Sequence, residues 1–288
     1  MSPEQNREPS QILTVEPQEG TRHRITGRAP VKLPQELIDQ TIDEISSNLD
    51  LKSSSLVSRA WTRRSQKNLF RCITLAPTDV ELWLSRSEAT AASISPWITE
   101  FHLSGYLDVS ISGFPVPWEE PSILMRLIES LASSPIQHLR ITRFNMVSFE
   151  ETTMVRCFEP IVDSIRSLEL RSLCTCTTAL TFFISMFPNL DDLFLEGPPI
   201  FTTCTMRSNR GSYDPNHTPS FAGTFKYPAF IRGFLPTFLS RMVGFPLRFH
   251  TVCPGMLEKD DIPEFAELVK ACAPTLREVR FLPFFRGT

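Results

Sequence analysis

The chain has 288 residues, 41% apolar and 21% charged, with 29 Lys and Arg against 32 Asp and Glu for a formal net charge of −3. That is the composition of a globular protein of one large domain or two smaller ones, and the acid excess argues against gripping a phosphate backbone, a task that calls for a basic surface. Twenty-four prolines against 11 glycines suit short segments stopped by turns and do not suit a glycine-rich phosphate-binding fold.

Seven cysteines lie at 72, 157, 174, 176, 204, 253 and 272, and only Cys174 and Cys176 are close neighbours. No Cys-x-x-Cys pair completes a zinc site, so reduced and mostly buried thiols in a cytoplasmic or nuclear protein are expected. The longest apolar run, ALTFFISMF (179–187), is too short to span a bilayer. The first thirty residues contain no signal-peptide core, and no membrane partner is expected. Without such a signal, the sequon at Asn216–Thr218 reads as chance.

In chain order, residues 1–30 are polar, contain proline and lack periodicity, and are expected to form a disordered tail. Its cations Arg22, His23, Arg24 and Arg28, with Lys32, read as a solvated stretch or as a weak nuclear-localisation patch. LPQELIDQTIDEI (33–45) is predicted to be helical. Pro34 suits the first helical position, Glu36 the positive helix end, and Leu37, Ile38, Thr41, Ile42 and Ile45 line one face. After a polar break, a second helix is predicted to carry Leu51, Ser54, Leu56, Val57, Ala60 and Trp61, and a third short segment Leu69 and Phe70. Val57 with Trp61, and Leu56 with Ala60, are i, i+4 pairs that would face inward, while Arg59, Arg63 and Lys67 project outward. On that reading Trp61 is first of all structural, with truncation costing about 3–5 kcal/mol.

From residue 98 an apolar pattern recurs, with a second anchor three residues after the first and a third two residues later. It appears in ITEFHL (98–103), IQHLRI (136–141), IRSLEL (165–170), LDDLFL (190–195) and LREVRF (276–281), with poorer copies at AGTFKY (222–227) and GFPLRF (244–249). Between copies lie amphipathic stretches predicted as helices: 122–132, 158–165, 180–187, 234–243 and 262–273. Strand, helix, strand in repetition implies an α/β fold, a parallel sheet with helices on its outer side.

LPQELIDQTIDEI followed by LKSSSLVSRAWTRRSQKNLFRCITL resembles the F-box motif, in the form found in fungal, especially basidiomycete, F-box proteins. FPLRFHTVC (245–253) and ELVKACAPTLREVRF (267–281) resemble the leucine-rich-repeat-like region of those proteins. The resemblance implies a disordered tail (1–30), a three-helix F-box (31–76), a linker (77–96) and an irregular leucine-rich-repeat-like α/β solenoid (97–288). It further implies a non-catalytic substrate-recognition subunit of an SCF-type ubiquitin ligase, which meets a Skp-type adaptor, and through it a cullin, by the F-box and a protein substrate by the repeats. Carried onto this chain, the adaptor surface comprises Leu33, Pro34, Leu37, Ile38, Val57, Ser58 and Trp61, whereas Ile42, Ile45 and Leu56 read as core. The competing reading is an interaction scaffold whose F-box-like segment caps the solenoid.

Residues between the apolar anchors of a strand point to the opposite face. The candidate substrate face is therefore His102, His138, Arg140, Glu169, Arg171, Asp192, Phe194, Arg248, Glu278 and Arg280, a mixed-charge surface with one aromatic residue. The polar loop 207–220 is a candidate recognition loop or simple disorder. No phosphate loop, dinucleotide fingerprint, nucleophile elbow or His-Glu-x-x-His helix occurs. His102, His138 and His250 make at best a remote case for convergence on a metal, and Asp191-Asp192 and Asp260-Asp261 read as solvated loop pairs. No catalytic residue, cofactor, metal site or nucleic-acid partner is expected.

Overall fold

The structure is a computed structural model that describes residues 33–86, 88–105, 120–146, 149–196, 200–201, 221–227, 234–241, 247–255, 257 and 259–281. The expectations placed on the 1–30 tail, Lys32, the sequon, the 207–220 loop and Cys204 lie outside the described residues.

Order begins with three helices, α1 (Gln35–Asp43), α2 (Asn48–Ser54) and α3 (Arg59–Arg71). Pro34 occupies the cap one residue before α1. Ser47 caps α2, its hydroxyl accepting from the Asp50 N–H at 3.4 Å. The second helix stops at Ser54 rather than reaching Trp61. The serine run competes for backbone groups there: Ser53 Oγ donates to the Leu49 carbonyl and Ser55 Oγ to that of Lys52. Leu56 and Val57 close a turn onto Ser53 and Ser54, and a single helix then runs from Arg59 to Arg71. The inward pairs expected at 56–61 therefore do not form. Leu56 is 87% exposed and Val57 64%, which corrects the core reading of Leu56, and Trp61 is only half-buried. Burial falls instead on Ile38, Ile42 and Leu51, with Ile45, Trp61 and Leu69 against them. Ile38, expected on the docking surface, lies inside. Arg59, Arg63 and Lys67 are exposed, as their spacing implies.

Two ties hold α1 alongside α3. Gln35 donates to the Ala60 carbonyl at 3.3 Å, and Arg64 grips Asp43 through two nitrogens, Nε to Oδ1 at 2.7 Å, with Asn68 donating to the same oxygen at 3.1 Å. Early residues of each helix meet, as do later ones, so the two run in the same direction.

The strands are β1 (Cys72–Leu75), β2 (Glu100–Ser104), β3 (His138–Thr142), β4 (Ser167–Arg171), β5 (Cys174–Thr175), β6 (Asp192–Glu196), β7 (Ile200–Phe201), β8 (Thr224–Tyr227), β9 (Thr251–Pro254) and β10 (Glu278–Val279). Eight of them form one all-parallel sheet in strict chain order, and β5 and β7 form a separate two-stranded ladder. The register aligns Ile73, Phe101, Leu139, Leu168, Leu193, Phe225, Val252 and Val279 in a single apolar row. Leu75, Leu103, Ile141, Leu170 and Leu195 form a second row. Just ahead of the strands runs a ladder of backbone bonds. Thr99 N–H donates to the Arg71 carbonyl, Gln137 to Thr99, Arg166 to Gln137, Asp191 to Arg166, Gly223 to Asp191, His250 to Gly223 and Arg277 to His250.

Over the apolar rows lie α4 (Pro77–Leu84), α5 (Glu88–Ile94), α6 (Pro121–Ser130), α7 (Glu151–Phe158), α8 (Thr177–Ser185), α9 (Phe234–Arg241) and α10 (Ile262–Cys272). From α7 onward each packs on the one before it, and α6 packs on α4. One hydrophobic core extends from Ile73 to Cys272, and the helical trio has a small core of its own. The first anchors Ile98, Ile136, Ile165 and Leu190 are all 0% exposed, whereas in the last copy Leu276 and Val279 are half-buried and Phe281 is 66% exposed.

Several elements fall elsewhere than expected. Residues 77–96, read as a linker, fold as α4, α5 and a 3-10 turn. They are tied into the core by Val80 and by Trp83, whose Nε1 donates to Ser130 Oγ at 2.9 Å. FRCITL (70–75) is an unrecognised first copy of the repeat, with Phe70, Ile73 and Leu75 at the usual spacing. The helix predicted at 158–165 lies at 151–158, and Pro160, which has no N–H to donate, stops it from continuing. The strand predicted within 244–249 is β9, and the anchors there are Phe249, Val252 and Pro254.

The Arg64 hydrogen bond holds the Asp43 carboxyl down at about 2, against its ordinary value of 3.8. A carboxylate depressed in the fold contributes stability above its unfolded pKa and loses it as pH falls through the folded value. Because the pair is largely solvated, with side chains 33% and 41% exposed, the contribution is at most about 1 kcal/mol. Urea denaturation of wild type and Asp43→Asn is expected to show this gap at pH 7, narrowing below about pH 4 and closing near pH 2. A gap that persists at pH 2 would assign Asp43 a different role.

Candidate functional site

Two surfaces stand apart from the packed core. The first is the outside of the helical trio. Leu33, Leu37 and Leu49 are 57%, 49% and 73% exposed, and with Leu56 and Val57 they make up five of the nine large exposed apolar residues among the described residues. Isolated exposed apolar side chains are ordinary; these five gather on and beside α1 and α2, which makes this end of the trio a candidate surface for a partner. Pro34 and Ser58 are also exposed. The Gln35–Ala60 hydrogen bond brings Leu33 and Pro34 to the same end of the trio as Val57 and Ser58. Of the docking residues inferred by resemblance, Leu33, Pro34, Leu37, Val57 and Ser58 are therefore accessible, Trp61 partly so, and Ile38 is not.

The second surface is the strand face away from the helices. Its central row is Thr74, His102, Arg140, Glu169, Phe194, Lys226 and Cys253. The row before it contains Cys72, Glu100, His138, Ser167 and Asp192, and the row after it Ser104, Thr142, Arg171 and Glu196. The register thus brings His102, His138, Arg140, Glu169, Arg171, Asp192 and Phe194 together. Glu278 and Arg280 sit at the far end, paired at 2.6 Å. Arg248 is not on the face: it precedes β9, and its N–H donates to the Phe221 carbonyl. His250 also lies ahead of β9, four strands along from β3, so the three histidines do not converge. Among the described residues no group of three or more His, Cys, Asp and Glu is placed to hold a metal. Cys72, Thr74, Lys226, Cys253, Ser104 and Thr142 also belong to the face and were not anticipated. The anchor spacing in FRCITL is the signal that would have found the first two.

An open depression of about 240 Å³ lies on this face, lined by Cys72, Glu100, His102, His138, Arg140, Ser167, Glu169 and Phe194 together with Phe101 and Leu139. Glu169 is its electrostatic hub: Arg140 Nε reaches its Oε2 at 2.5 Å and Arg171 its Oε1, and Arg171 also pairs with Glu196 at 3.1 Å. Glu100 pairs with Arg71 at 3.4 Å. His102 lies between two threonines, Nδ1 3.4 Å from Thr74 Oγ1 and Nε2 3.1 Å from Thr142 Oγ1. Burial, and then the Arg140 charge, push its pKa down, which disfavours the protonated ring.

Asp192, expected to face a substrate, has a local partner. Its Oδ1 accepts the Thr224 N–H at 2.6 Å, across from β6 to β8.

No family model matches the chain, and no curated protein matches its sequence.

Gly223 sits tight against this bridge: a Cβ there would lie 2.3 Å from Asp192 Oδ1 and 2.9 Å from the Asp191 carbonyl. Gly223→Ala is expected to lower stability by about 1–3 kcal/mol, read as an earlier urea midpoint. Asp192→Ala in the same background is expected to recover only part of the loss, since the backbone contact remains. An unchanged midpoint in the single variant would show that β8 shifts freely away from β6.

Proposed function

We propose that this protein is the substrate-recognition subunit of an SCF-type ubiquitin ligase, docking on a Skp-type adaptor through the helical trio and holding a protein substrate on the strand face. The observation that carries the reading is the trio's independence. It has its own core of Ile38, Ile42 and Leu51, yet leaves Leu33, Leu37, Leu56 and Val57 in solvent. Apolar side chains of this kind at helix starts and turns are suitable anchors for a partner. The eight strands in chain order, each followed by a helix or preceding one, are in keeping with a leucine-rich-repeat-like solenoid. Such a subunit carries out no chemistry itself. It raises the effective concentration of its substrate beside the ubiquitin-carrying enzyme, in the cytoplasm or the nucleus. Among the described residues no helix is long and apolar enough to cross a membrane.

A second reading, a scaffold in which the trio only caps the repeats, draws on the junction. Phe70 at the end of α3 stacks on Trp97 with ring centroids 6.3 Å apart, and Arg71 begins the backbone ladder. Terminal repeats need such a cover.

Co-purification with a Skp-type adaptor tests the first reading. The wild type is expected to form the complex at micromolar concentration, and Leu33→Asp/Leu37→Asp to lose it with an unchanged melting transition, because both side chains are already exposed. Ile42→Ala serves as the contrast, unfolding the trio at a cost of about 2–5 kcal/mol. Removing residues 1–71 separates the two readings, because it takes away the whole trio, Phe70 and Arg71 included, and spares β1. A sheet that still melts cooperatively supports adaptor docking; one that unfolds supports the cap.

A further inference from the structure

The charge array on the strand face is unevenly satisfied. Glu169, whose side chain is 16% exposed, has both carboxylate oxygens engaged by arginines. Arg171 is engaged twice, by Glu169 and Glu196. Arg140 donates to Glu169 through Nε, and neither of its terminal nitrogens has a hydrogen bond to a described residue. Its guanidinium is therefore fixed along one edge and open along the other. His138 lies two residues back on the same face of β3, and Ser167 is its register partner on β4. Neither the His138 ring nor the Ser167 hydroxyl is hydrogen-bonded to a described residue. All three line the depression, together with the half-buried ring of Phe194.

The paired charges around the depression balance, Glu100 against Arg71 and Glu169 and Glu196 against Arg140 and Arg171, so what the site offers a ligand is the donor groups of Arg140 rather than a net field. A cationic ligand would meet Arg140. A purely apolar one would cover its open donors without pairing them, an unfavourable exchange. A carboxylate fits, because an arginine already oriented by a second acid presents a planar pair of donors at little ordering cost.

We propose that this depression is an anchor site for an Asp or Glu side chain of a protein segment lying across the strands, with Arg140 as the principal donor, His138 and Ser167 beside it, and an adjacent apolar residue of the segment against Phe194. The inference rests on reading the strand face as the substrate surface. Leu33 and Leu37 take no part in it, so it stands or falls separately from adaptor docking.

The test is fluorescence anisotropy on the full chain with two labelled probes, acetyl-Gly-Phe-Glu-Phe-Gly-amide and the same peptide with Gln in place of Glu. The Glu peptide is expected to bind about tenfold more tightly. Arg140→Gln is expected to bring it to the level of the Gln peptide, and Arg140→Lys, which keeps the charge but loses the fork, to fall between. Arg140→Gln removes an exposed side chain, and an unchanged melting transition establishes that it folds. Equal binding of the two peptides, binding of neither, or indifference to Arg140→Gln overturns the site. Displacement by inorganic phosphate at concentrations where acetate has no effect also overturns it, in favour of a phosphate receptor. An adaptor pull-down on the same preparation separates the two claims. Adaptor bound without peptide discrimination removes only the anchor site, and discrimination without adaptor removes only the docking reading.

Discussion

A short parallel strand has two faces and, among the described residues, helices cover one of them. The row from Ile73 to Val279 and the shorter row from Leu75 to Leu195 are pressed under that helical layer, and everything else follows from this one-sided burial. No single strand–helix unit could bury its anchors alone; each depends on its neighbours, so the units stack in chain order. The backbone ladder from Arg71 to Arg277 keeps that stacking in register. Aromatic rings fill the wider spaces, with Phe158, Phe183 and Phe187 edge to face and Phe225 stacked against Phe238 and Phe249.

Because the opposite face is left to solvent, it can carry charge at little cost, and it does so in a cooperative arrangement. Arg140, Glu169, Arg171 and Glu196 come from three adjacent strands and two neighbouring rows of the same face. Exposed pairs of this kind add little stability one at a time. Their effect is to fix orientation, and a side chain held by one edge is ready to use the other. His102 lines the depression between two threonines, and burial and the Arg140 charge disfavour its protonated form.

The helical trio obeys a different balance. Its core of three fully buried side chains is too small to absorb all its apolar residues, and the Asp43–Arg64 clamp supplements it at the surface. The remaining apolar residues stay outside, which is the physical basis for treating the trio as a docking element. The cations Arg59, Arg63 and Lys67 lie on the exposed side of α3, where they serve as a solvated face. Phe70 joins the two parts: it ends the helix and, in the repeat spacing, is the first anchor of the sheet.

Whatever depends on local periodicity was determined by the sequence. The anchors at 98, 101 and 103 and their successors foretold parallel strands alternating with helices, because a pleated strand turns successive side chains to opposite faces whatever surrounds it. The same alternation marked His102, Arg140, Glu169 and Phe194 as outward. Where two periodicities overlapped, the reading failed. FRCITL was absorbed into the helical segment before it, and GFPLRF attracted a strand that belonged to Thr251–Pro254, leaving Arg248 off the face. Leu56 and Val57 could pair with Ala60 and Trp61 only on an unbroken helix, and the serines at 53–55 had already broken it. Tertiary structure alone decided which arginine closes on which carboxylate, that Ile38 lies inside while Leu37 beside it lies outside, and that Asp192 bridges to β8. Those outcomes depend on distances between segments remote in the chain, and no local pattern encodes them.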